Sequence, residues 1–122
     1  MNRLLIGSFV AVLALTNAGA ALAHANLASA VPAVGATVQT APTEVAITFT
    51  EEVAPKFSGI QVLDAKGARV DTGEAHTAPD NAKLLSVSLK TLSPGLYKVV
   101  WHAMAADDSH KTKGDFTFTY KP

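Results

Sequence analysis

The sequence predicts an all-β domain, a Greek-key sandwich or small barrel of about seven short strands. Two observations carry this. β-branched and aromatic residues alternate with polar ones, segment after segment, with turn residues between the runs. No stretch beyond the first two dozen residues repeats with the 3.6-residue period of an amphipathic helix.

The elements follow in order. A first strand is expected at about residues 25–30. Val45, Ile47 and Phe49 then alternate with Ala46, Thr48 and Thr50, which gives one apolar and one polar face. Ile60 and Val62 continue the pattern after Ser58-Gly59, and residues 64–67 read as a turn into a short strand near 68–71. The stretch 71–82, with Gly73, Pro79, Asp80 and Asn81, reads as the longest loop. Leu85, Val87 and Leu89 alternate with Ser86 and Ser88. Pro94-Gly95 fits the central pair of a type II turn, whose third position needs positive φ. Tyr97, Val99 and Trp101 then face one way and Lys98, Val100 and His102 the other, with Trp101 as core anchor. The final strand places Phe116, Phe118 and Tyr120 against Thr117, Thr119 and Lys121.

Ahead of these strands lies the layout of a secretory signal: Arg3, an apolar run over residues 4–15, then small residues leading to Ala21 and Ala23. The run is shorter than the roughly 20 residues of a spanning helix, so cleavage after Ala23 is expected rather than a retained anchor. Removing residues 1–23 from 122 leaves a single domain of 99, residues 24–122. Ten basic and ten acidic residues, without a run of either sign, leave nucleic-acid binding and polybasic membrane binding without electrostatic support. There is no cysteine. Disulfides and thiolate metal sites are therefore excluded, and nothing in the pattern calls for an obligate interface, so a monomer is expected.

Cleavage at that point exposes His24 as the first residue. Its amine nitrogen and imidazole Nδ1 can close a six-membered chelate ring on a metal, a cis nitrogen pair suited to tetragonal Cu(II). The amine binds only when deprotonated, and its ordinary pKa of about 7.7–8.0 makes affinity depend on pH. Asp108 and His110 are the best candidates for the remaining ligands. Two apart, they project to one side if their segment is extended, while Asp107 points away. Gly114 reads as a bulge or turn that aims the pair.

Other candidates are weaker. His76 falls in the presumed loop, and His102 takes a surface strand position or a supporting role beside the site. Met104 packs at the core edge or offers an axial sulfur. Adjacent Glu51 and Glu52 read as a solvated turn, not a carboxylate pair. No nucleophile motif or phosphate-cradling glycine loop is present.

The ordered set His24, Leu27, Ser29, Pro32, Phe49-Thr50-Glu51, Phe57-Ser58-Gly59, Leu92-Ser93-Pro94-Gly95, Tyr97, Val99, Trp101, Asp108-Ser109-His110, Gly114 and Phe116/Phe118 resembles the CopC-type periplasmic copper-binding proteins of bacterial copper resistance and homeostasis. That resemblance implies an Ig-like or cupredoxin-like barrel that binds copper without catalysis and passes it to a CopD-type inner-membrane protein. It carries the Cu(II) ligands to His24, Asp108 and His110. Many members add a methionine-rich Cu(I) loop; here residues 63–85 hold His76 and no methionine, so one Cu(II) site is expected. Two other readings compete. The ligand set is similar to that of a lytic polysaccharide monooxygenase, and an Ig-like interaction module could carry these residues as surface decoration. The distance from the first strand to the Asp108/His110 segment discriminates the last of these.

Overall fold

A computed structural model describes residues 25–122; the expected signal segment and His24 lie outside the described residues. The chain forms β1 (Leu27–Val31), β2 (Thr37–Val38), β3 (Glu44–Phe49), β4 (Gly59–Leu63), β5 (Asp71–Ala78), β6 (Asn81–Leu89), β7 (Gly95–Met104) and β8 (Lys111–Tyr120), with a 3-10 turn at Pro55–Phe57. Two four-stranded sheets result, ordered β1-β3-β6-β5 and β2-β8-β7-β4. Neighbours are antiparallel except β2 and β8. Among the described elements, only β5–β6 and β7–β8 are sequential hairpins, so most connections cross between the sheets.

The alternation in the sequence is the reason the sheets stack. Val45, Ile47 and Phe49 of β3 and Leu85 and Val87 of β6 turn inward to meet Val62, Tyr97, Val99, Trp101, Phe116 and Phe118. Phe49 packs edge-on to Trp101 at 5.2 Å between ring centroids, and Tyr97 stacks on Phe118 at 5.4 Å. The predicted sandwich is the observed architecture, with eight strands among the described residues instead of seven.

Three local expectations are corrected, and one strand is added. Residues 71–82 form a hairpin, not a loop. β5 is an edge strand whose pairing with β6 shifts between Thr72 and His76 around Gly73, at φ +71°. That bulge breaks the period-two pattern, and only Asp71 of the strand is buried, so no clear alternation survives to be read. β2 escaped notice because it is two residues long. Gly95 has φ +153°, nearer extended backbone than the roughly +80° of a type II turn, and it already pairs with Tyr120 at the start of β7.

Gly114 is not a bulge. It pairs in register with Trp101 along an unbroken β7–β8 ladder, and a Cβ there would lie 2.7 Å from Cζ2 of Trp101. Its missing side chain makes room for the indole.

The seam between the sheets carries one buried charge. The Asp71 side chain, 1% exposed, accepts the Val62 amide of β4 at 2.8 Å and pairs with the Arg69 guanidinium at 2.6 Å. Burial pushes this carboxyl up, but the Arg69 hydrogen bond, the Val62 amide and the Arg69 charge outweigh it, and it titrates below the usual carboxylate range. A depressed folded value means that the stabilisation is complete above the unfolded value of about 3.9 and is lost as pH falls through the folded one. Asp71→Asn is expected to lower stability at neutral pH and to flatten the acid limb of the unfolding curve, measured by urea denaturation from neutral to strongly acidic pH. An unchanged acid limb would assign that pH dependence to other groups.

Candidate metal centre

The loop that joins β7 to β8 presents Asp108 and His110, and it is a turn rather than an extended segment. Ala105 N–H donates to the His110 carbonyl at 2.9 Å, Ser109 N–H donates to the Ala105 carbonyl at 3.1 Å, and Ser109 sits in the left-handed region at φ +61°. The premise that put the two side chains on one face is therefore corrected. What relates them is an Asx turn, with Asp108 Oδ1 accepting the His110 N–H at 3.0 Å. This bond holds the carboxylate beside the backbone that carries the imidazole. Asp107, Asp108, Ser109 and His110 are all exposed.

The described chain begins at the same place. Ala25 is fully buried, and its carbonyl accepts the Thr112 hydroxyl of β8 at 2.7 Å. Asn26 is clamped from the other side: its N–H donates to Thr50 Oγ1 at 3.0 Å, and its carbonyl accepts the Thr50 N–H at 2.8 Å. Position 25 is thus wedged between the end of β3 and the start of β8, two residues after His110. The distance that an unrelated interaction module would leave long is short.

Among the described residues, no three His, Asp or Glu side chains come together as a metal-holding group. Asp108 and His110 therefore need ligands from elsewhere, and His24 lies outside the described residues. Glu51, Glu52 and Asp107 line one recess with Lys83 and Ala106, a proximity that adjacency in sequence hid. His76 is exposed on β5, in the opposite sheet from the strands that flank the loop, and pairs with Ser86. His102 is exposed on β7, as its alternation predicts, with its ring against the backbone of Gly59, where a Cβ would meet Cε1 at 2.7 Å. Met104 is half-buried, and its N–H donates to Ser58 Oγ at 3.0 Å.

Residues 27–121 match the family model described as the CopC domain. The chain belongs to the CopC family. That family is one of copper-binding proteins rather than enzymes, which sets the monooxygenase reading aside. The chain is 39% identical over 100 residues to Protein YobA of Escherichia coli K12, covering 81% of this chain and 80% of that one. It is 34% identical over 98 residues, 80% of its length, to the Copper transport protein CutJ of Bacillus subtilis, of which the match spans 18%. Among solved structures, CopC from Methylosinus trichosporium OB3b superimposes with a TM-score of 0.75 at 29% identity, over 81% of this CopC-family chain and 95% of that one.

Proposed function

We propose that this CopC-family chain is exported, starts at His24 after removal of residues 1–23, and works as a monomeric periplasmic carrier for one Cu(II). The ion is its cargo. His24 supplies its amine and imidazole, and Asp108 and His110 supply a carboxylate and a second ring. The observation that carries this reading is the Thr112–Ala25 hydrogen bond. Covalent geometry keeps consecutive Cα atoms about 3.8 Å apart, so a residue attached to Ala25 starts within one peptide of a point bonded to β8.

The chemistry fits a carrier. Nitrogen and carboxylate donors without sulfur favour the cupric over the cuprous ion. The single sulfur of the described residues, Met104, is half-buried at the end of β7, where it pairs with Lys111. Sequestration and hand-over to a CopD-type inner-membrane protein both follow from such a site. CutJ supports the second, because a segment like this chain occupies a fraction of that larger transport protein.

Titration of the protein beginning at His24 is expected to show one tight Cu(II) with a tetragonal EPR signal. His110→Ala or Asp108→Ala should weaken it, and full affinity in both variants would overturn the ligand assignment. Thr112→Val, which keeps the shape and removes the hydroxyl, frees the Ala25 carbonyl from β8. It is expected to cost about 1–3 kcal/mol of stability through an unsatisfied buried acceptor and about 10- to 100-fold in copper affinity, the range for groups that orient ligands. Calorimetric copper titration of the folded variant checks both. Unchanged affinity would show that the clamp does not position the metal site.

A further inference from the structure

Beside the candidate metal loop, the outer face of the second sheet carries a compact cationic patch around one exposed ring. Phe57 is 60% exposed, the only aromatic among the large hydrophobic side chains that the described residues leave in water. It forms one wall of a cleft of about 350 Å³ whose other lining residues are Lys56, His102, Ala103, Lys111 and Thr112. No carboxylate lines this cleft. Lys113 adds a further cation, because it is the cross-strand partner of His102. The imidazole of His102 lies where the absent Cβ of Gly59 makes space, so the ring is laid along the patch. The nearest acidic neighbours on this face are Asp115, two residues beyond Lys113 and paired with Val100, and Glu74, which shares the next cleft with Arg69. At this end of the molecule Glu51, Glu52 and Asp107 line a separate recess, and exposed Asp108 lies on the loop that leads into Lys111.

We infer that this patch is a docking surface for an acidic protein partner, anchored by Phe57 and steered by Lys56, Lys111 and Lys113. The inference rests on the copper-carrier reading and adds to it the kind of surface that receives the carrier. Aromatic side chains, Phe among them, are enriched at protein interfaces, and complementary charge raises the encounter rate and sets orientation. The concavity beside Phe57 fits a projecting side chain of a protein better than the plane of a lipid surface. Position matters most. Lys111 follows His110 directly, and Thr112 holds Ala25, so a partner seated here brings its own carboxylates alongside the ion. Carboxylate oxygens compete for Cu(II) and offer a route off the carrier.

The probe is a synthetic peptide of alternating glutamate and leucine, titrated into isotope-labelled, metal-free protein that begins at His24. Amide shifts are expected at residues 56–59, 102 and 111–113, weakening with added salt. A Lys56→Glu/Lys113→Glu double variant, shown to be folded by its retained amide spectrum, should bind about tenfold or more weakly. Asp108→Ala should bind the peptide normally while losing copper, so the two readings fail separately. Four outcomes overturn the proposal: shifts scattered over the surface; an unaffected double variant; binding to phosphatidylglycerol vesicles without peptide binding; or patch-dependent self-association in sedimentation, which would make a second copy the occupant.

Discussion

A single residue added ahead of His24 is expected to reduce Cu(II) affinity by more than about a hundredfold, beyond what is lost when a group that merely orients a ligand is removed. The reason is covalent. The extension turns the amine into an amide, which has no lone pair to give at neutral pH, and the chelate ring opens. It leaves Asp108, His110 and the Thr112–Ala25 bond in place, so a folded protein with an unchanged melting temperature and poor copper binding is the signature. The pH dependence should change with it. The unextended protein must shed an amine proton near about pH 7.7–8.0 to bind, and its apparent affinity rises with pH through that range. The extended protein should lose this slope. Copper titrations of both forms at several pH values, with the first residue verified by mass spectrometry, decide the matter. Equal affinities would remove the amine from the ligand set.

Phe49→Ala is expected to cost about 3–5 kcal/mol, the range for deleting a buried aromatic ring. Phe49 is 1% exposed, packs edge-on to Trp101 and is paired across strands with Leu27. Its loss opens a cavity between the two sheets that Trp101 cannot fill without leaving the space made by Gly114. For a domain of this size, the melting temperature should fall by at least about 12 °C. The effect should also reach the metal site, because Thr50, which clamps Asn26, is the next residue. Thermal melts followed by near-ultraviolet circular dichroism, with copper titration at a temperature where the variant is still folded, measure both. A loss under about 1 kcal/mol would mean that the core repacks around the gap.

What could be read from the sequence follows from how each feature is encoded. Strands with one buried face write their burial as alternation, so β3, β6, β7 and β8 were legible from Val45, Leu85, Tyr97 and Phe116 onward. β5 was not. An edge strand with a bulge at Gly73 loses alternation, and its glycine, with Pro79 in the turn that follows, reads as loop. The role of Gly114 was hidden for another reason: the indole that demands its missing Cβ is thirteen residues away in sequence, on the neighbouring strand.

The sequence by itself determined the sandwich, the apolar face of its clearest strands, the absence of thiolate chemistry, and the choice of Asp108 and His110 as candidates. These depend on local composition and period, which the chain carries residue by residue. Only the tertiary structure decided how those candidates are held and what lies beside them. The Asx turn at Asp108 replaces an extended segment, Thr112 fastens Ala25 across a sequence gap of 87 residues, and the lysines around Phe57 gather from the 3-10 turn and β8. Such contacts join segments far apart in the chain, and no local pattern records them, because they exist only once the strands have paired.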